Sequence, residues 1–236
     1  MRPTMRPTIR PTIRPTIRPP VTSTARPGVS TTLAFALALG ALASACASAP
    51  PETFYTLTAG VRRAASDDGA SARPPSSPGG RPAAPSVVVT PAALPGLVDR
   101  PQLVLADGET TVVLLEQQRW AEPLRAQIAR VVAEDLGRLL GTWRVAIRED
   151  AIPTPDCRVS LDVQRFESSR RGPAFNETLW TVVCADGVMR TGRSAASEPL
   201  VSPAVGDTLA PVVAAHGRAL DRMSREIAQT LREAAP

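Results

Sequence analysis

Cys157-Arg158-Val159-Ser160-Leu161-Asp162-Val163-Gln164-Arg165-Phe166 is the stretch on which the fold turns. Val159, Leu161 and Val163 alternate with Arg158, Ser160, Asp162 and Gln164, the period-two pattern of a strand with one buried face. Arg170 to Pro173 reads as a turn and Thr178 to Cys184 as the next strand. An antiparallel hairpin that sets Phe166 opposite Phe175 also sets Cys157 opposite Cys184, because both pairs have the same index sum. Cys157 and Cys184 are therefore a disulfide candidate, and two buried free thiols are the alternative.

Working outward from this hairpin, Trp143 to Arg148 alternates as a strand. Trp120 to Leu140 repeats apolar residues at helical spacing: Leu124, Ile128, Val131, Val132, Leu136, Leu139 and Leu140. Glu122 and Pro123 suit its first turn and Gly141 its stop. Gln102 to Ala106 and Thr110 to Leu115 are strands around an Asp107-Gly108 turn. Ser86 to Thr90 is a strand broken by Pro91 to Gly96, and Phe54 to Leu57 is a short β-prone run. Between them Gly60 to Pro85 is rich in Ala, Ser, Pro, Gly and Arg, the composition of a flexible insertion. At the other end Thr208 to Leu231 is a second amphipathic helix, capped by Asp207 or Thr208 with Pro211 in its first turn. Val213, Leu220, Met223, Ile227 and Leu231 form its buried face. The expected fold is α+β, a largely antiparallel sheet with two long helices packed on one face, in a single domain over 53–236 with a flexible insertion at 60–85.

Residues 1–45 read differently. An Arg-Pro-Thr repeat runs from Arg2 to Pro20, with proline too frequent for a helix. It is either an unusual basic leader or a sign that translation starts further downstream. Leu33 to Leu42 is an apolar core of about ten residues, short of the roughly 20 a spanning helix needs and right for a secretory signal. Ala43-Ser44-Ala45-Cys46 follows and is similar to the box in front of a lipidated cysteine. A plain signal peptide with a chance cysteine is the alternative. We therefore expect a signal over 1–45, lipidation at Cys46, a tether over 46–52, and an oxidising compartment that favours the disulfide. Ala47, rather than aspartate, after the cysteine points to the outer membrane.

Removing the signal alters the charge. All 27 basic residues are arginine, and six of them but none of the 22 acids lie in residues 1–45, leaving 21 against 22. The pI near 10.3 belongs to the leader, so a nucleic-acid partner is not indicated. The missing lysine excludes a phosphate-binding P-loop and Schiff-base chemistry. His216 is the one histidine, so no histidine-rich metal site forms, and it reads as a packing or surface residue rather than a base. No Gly-x-Ser-x-Gly elbow is present. Nothing calls for a catalytic residue, a metal or a cofactor.

Several segments together resemble the PqiC-type ABC-transport auxiliary lipoproteins: Phe54–Leu57, Leu94-Pro95 with Asp99-Arg100-Pro101-Gln102, and above all Arg119-Trp120-Ala121-Glu122-Pro123-Leu124. A strand ending Arg165-Phe166 and a later one containing Trp180 also fit. The resemblance implies a non-catalytic lipoprotein on the periplasmic face of the outer membrane. There it would dock an MCE-domain channel protein that moves lipid between membranes, with a homo-oligomer suited to a symmetric channel. Arg100, Arg119 and Trp120 are then the partner-binding candidates, against plainer readings of Trp120 as core, Arg119 and Glu122 as an ion pair, and Asp99 and Arg100 as loop-shaping residues. A structural or assembly lipoprotein of another envelope complex is the competing reading, and co-purification of an MCE-domain protein separates the two.

Overall fold

The structure is a computed structural model and describes residues 51–60, 84–202, 206 and 208–234. Cys46, the leader, the tether up to Pro50, the insertion from 61 to 83 and Asp207 lie outside the described residues. Eight strands and two α-helices follow in the order β1 (Thr53–Tyr55), β2 (Val87–Val89), β3 (Gln102–Ala106), β4 (Val112–Trp120), α1 (Leu124–Leu140), β5 (Val145–Ala146), β6 (Cys157–Glu167), β7 (Ala174–Cys184), β8 (Met189–Glu198) and α2 (Ala210–Ala234). This is an α+β fold.

The strands divide between two sheets where one was expected. The smaller has the order β1-β4-β3 and the larger β5-β2-β6-β7-β8. The long pairings β3–β4, β6–β7 and β7–β8 are antiparallel, while the short ones of β1 with β4 and of β2 with β5 and β6 are parallel. The helices lie against each other, α1 over β2 and β5, α2 over β7 and β8. One continuous apolar cluster joins both sheets to both helices, with Leu57, Val87, Ile128, Leu136, Val159, Ile227 and Leu231 fully buried.

Three further expectations need correction, and one strand was missed. Helix α1 starts at Leu124 rather than Trp120, because β4 continues through Trp120: the Trp120 N–H donates to Pro101 O (2.7 Å) and Ala121 N–H to Tyr55 O (2.8 Å). Pro123 then occupies the N-cap position and Gly141, with φ 66°, closes the helix in a left-handed turn. β5 keeps only Val145 and Ala146 of the expected 143–148, leaving Trp143 89% exposed. β8 was not read from the sequence at all. In the hairpin, Cys157 does pair with Cys184, but Phe166 pairs with Asn176 and not Phe175, because the register shifts between Val163 and Arg165. Gln164 is the extra residue of a β-bulge.

β8 closes the larger sheet as an edge strand, and one glycine explains how. Gly192 pairs with Trp180, whose ring lies over the bare Cα; a Cβ there would come within 2.1 Å of Trp180 Cζ2. The glycine makes room for the indole, which is nearly buried. Cys157 and Cys184 join as a disulfide, Sγ to Sγ 2.03 Å, across the far end of the β6–β7 ladder.

Candidate docking site

The Asp99-Arg100-Pro101 and Trp120-to-Leu124 segments, twenty residues apart in sequence, meet in space. They line a surface cavity of about 260 Å³ bounded by Asp99, Arg100, Pro101, Trp120, Ala121 and Glu122, with Pro123 and Leu124 behind. The loop before β3 is folded by its own backbone: Val98 N–H and Asp99 N–H both donate to Pro95 O (3.0 and 3.2 Å), and Arg100 N–H to Val98 O (2.9 Å). Pro101 then holds Arg100 extended.

The charges around this cavity are mostly satisfied. Asp99 takes two hydrogen bonds from Arg125, one of them at 3.2 Å from Nε, and holds that guanidinium above its ordinary pKa. Glu122 lies 3.9 Å from Arg130, which also pairs with Glu134 at 3.1 Å. Arg100 is the exception. Its Nη2 reaches only Gly96 O at 3.5 Å, and its Nε is buried without a hydrogen-bond partner. Arg119 does not pair with Glu122. It lies 3.3 Å from Glu52 and donates from Nε to Glu116 O at 3.1 Å, since its position on β4 faces the incoming tether and not the helix start. The sequence reading missed Arg125 and Glu52; Arg125 is the residue directly after the recognised motif.

Trp120 is 6% exposed and belongs to the core. Its ring meets Phe166 edge-on (6.2 Å, 72°), and Phe166 stacks flat on His216 (3.8 Å, 7°). His216 is fully buried. Its Nδ1 lies 2.6 Å from Asn176 Oδ1 and its Nε2 2.8 Å from Ser168 Oγ. With the Asn176 oxygen toward the ring, Nδ1–H donates to it and the Ser168 hydroxyl donates to Nε2, which makes a neutral imidazole with both nitrogens satisfied. Burial pushes its pKa down to about 3. Hydroxyl, imidazole and amide stand in the order of a nucleophile, base and orienter. Ser168, however, borders a void of only about 10 Å³, room for about one water. Neither Ser168 nor Asn176 was legible as a partner from sequence, since they lie 48 and 40 residues from His216.

Among the described residues no group of three or more His, Cys, Asp or Glu is placed to hold a metal, and no helix is long and apolar enough to cross a membrane.

A fold of this kind, with these two motifs at one corner, defines a class, and the comparisons place the chain in it. The model of the ABC-type transport auxiliary lipoprotein component family matches residues 55–228, and the chain belongs to that family. A crystal structure of an uncharacterized protein is similar at TM-score 0.57 with 15% identity, covering 77% of this chain and 99% of the other. Protein XCC0632 from Xanthomonas campestris is similar at TM-score 0.51 with 19% identity, covering 76% and 95%. At these identities the likeness carries the fold alone. No curated protein matches the sequence. Cys46 and the signal expected over 1–45 fall outside both the matched span and the described residues.

Proposed function

We propose that the protein is a non-catalytic lipoprotein, anchored through Cys46 to the periplasmic face of the outer membrane, that docks an MCE-domain channel protein in an intermembrane lipid transport system. The observation that carries this reading is the convergence of the Asp99–Pro101 and Trp120–Leu124 motifs on one surface cavity, where Arg100 has no carboxylate partner among the described residues. Buried arginine and aromatic groups commonly anchor interfaces. Here Trp120 supplies the rigid floor and Arg100 the charge, while Arg119 stands beside the cavity, paired with Glu52. The one histidine is sealed in the core and stays neutral far below physiological pH, which supports a binding role over a catalytic one.

Two measurements test this. Labelling cells with a fatty-acid analogue should mark the wild type and not Cys46→Ser; equal labelling, or none in either, removes the anchor. Arg100→Ala and Arg119→Ala should stay folded, since surface arginines usually truncate within about 0.5 kcal/mol, and should weaken capture of the MCE-domain protein from solubilised envelopes. If the wild type captures no such protein, the transport reading gives way to an assembly lipoprotein of another envelope complex.

A further inference from the structure

The β3–β4 hairpin has a bare end. Every residue from Ala106 to Leu114 is exposed, and three consecutive apolar side chains stand in water there: Val112 at 39%, Val113 at 40% and Leu114 at 36%. Because successive residues of a strand face opposite ways, β4 presents apolar side chains to water on both its faces here, although Val104 and Leu105, opposite Leu114 and Val113 on β3, are buried. A single surface valine needs no explanation, but an apolar run on both faces of a ribbon does. β1 pairs only with Gln118, Arg119 and Trp120, so along that edge β4 has no partner strand from Val112 to Gln117 among the described residues.

The way the chain enters the domain bears on what this end can meet. β1 is parallel to β4 with Thr53 opposite Gln118, so the backbone followed backwards from Thr53 heads toward Val112. Glu52, held 3.3 Å from Arg119, is still beside β4. Thr53 is seven residues from Cys46, a reach of at most about 25 Å. Val112 is six residues from Gln118 along β4, about 20 Å. A tether of that reach is long enough to let the hairpin end meet the bilayer that holds an acyl group on Cys46.

The neighbours of the hairpin end extend the surface. Ala106 N–H donates to Ser168 O (2.8 Å), so the β6–β7 turn with Arg170 and Arg171 adjoins it. That turn shares a cleft with Pro199 and Leu200, next to the exposed Val201. The charges at this corner cancel: Asp107 and Glu109 in the hairpin turn stand against Arg170 and Arg171. A contact here would rest on the apolar side chains rather than on attraction to anionic headgroups.

We propose that this corner, with Val112, Val113 and Leu114 foremost, rests in the interface of the lipid bilayer as a second contact beside the acyl anchor. It rests on the reading of Cys46 as lipidated. The test uses the full lipidated protein in phosphatidylcholine vesicles, with an environment-sensitive fluorophore on Val113→Cys or, as control, on Met189→Cys. The disulfide and the acylated Cys46 leave the introduced thiol as the reactive one. Met189 lies at the opposite end of β8 from Glu198, about 30 Å away along the strand. The expected result is a blue-shifted emission at position 113, quenched by nitroxide-labelled lipid and unchanged by salt, with position 189 remaining aqueous. A water-like signal at 113 in vesicle-bound protein overturns the membrane contact alone, as does equal quenching at 113 and 189. Protein that fails to float with the vesicles overturns the anchor and this contact together.

Discussion

Acidification probes the His216 cluster directly. The folded ring is held near pKa 3 by burial, while in the unfolded chain it titrates near 6.5. A depressed folded pKa means that the unfolded state binds more protons in between. The contribution is therefore fully present above about pH 6.5 and is lost as pH falls toward 3. Between pH 7 and pH 5 that loss amounts to about 2 kcal/mol, and over the whole interval to about 5 kcal/mol. Among the described residues no carboxylate is bonded to the ring to offset it; its partners are Ser168, Asn176 and Phe166. The assay is urea unfolding of the chain from Ala47 onward at pH 7 and pH 5, followed by tryptophan fluorescence, for the wild type and His216→Gln. The carboxylates whose pKa values their partners lower, such as Asp156 beside Ser86 and Glu167 beside Arg165, titrate alike in both proteins and cancel in the difference. His216→Gln should be less stable at pH 7, having lost the stack on Phe166, yet should lose about 2 kcal/mol less than the wild type on going to pH 5. Equal losses in the two proteins would refute a neutral, buried imidazole.

Other outcomes follow from single contacts. Gly192→Ala forces a Cβ into the Trp180 ring and should cost about 1–3 kcal/mol in thermal or urea melts, partly recovered by adding Trp180→Leu. Trp120→Ala should cost about 3–5 kcal/mol, far more than Arg100→Ala, so that lost partner capture by the tryptophan variant alone says nothing about docking. Alkylation of the unreduced protein should leave Cys157 and Cys184 unmodified, and reduction should cost roughly 3–4 kcal/mol for a loop of this length; two freely alkylated thiols refute the bridge.

What could be read from the sequence was whatever repeats with a period. Both helices and β6 announce themselves through apolar spacing, because each buries one face against the same core. β8 does not: Met189 to Glu198 buries only Ser194, Ala196 and Glu198, and its place in the sheet comes from pairing with β7 and from the glycine under Trp180. β4 beyond Leu115 runs Glu-Gln-Gln-Arg, a polar stretch in which only Arg119 has partners on both sides, Phe54 of β1 and Gln102 of β3. Nothing local distinguishes it from a helix start, and Glu122-Pro123 draws the helix boundary too early. The cavity at Arg100 was legible as two motifs but not as one place, since they meet only through the folded pairing of Gln102 with Arg119, the Trp120-to-Pro101 hydrogen bond and the Arg125–Asp99 contact.

The bulge at Gln164 shows how a small irregularity builds the interior of this corner. Along β6 the buried positions run 157, 159, 161 and 163, then skip to 166. With strict alternation Arg165 would face the core and Phe166 the solvent. One extra residue in β6 reverses that phase, so Arg165 turns outward to pair with Glu167 and Phe166 turns inward between Trp120 and His216. The signature is in the sequence after all: apolar residues two apart become three apart between Val163 and Phe166, with Gln164 and Arg165 both polar. A hairpin aligned from the Phe166 end without that extra residue still brings the cysteines together only because the disulfide lies on the other side of the bulge from Phe166. The aromatic contact that ties the Arg119–Leu124 motif to the His216 cluster thus depends on a residue whose own side chain packs against nothing in the core.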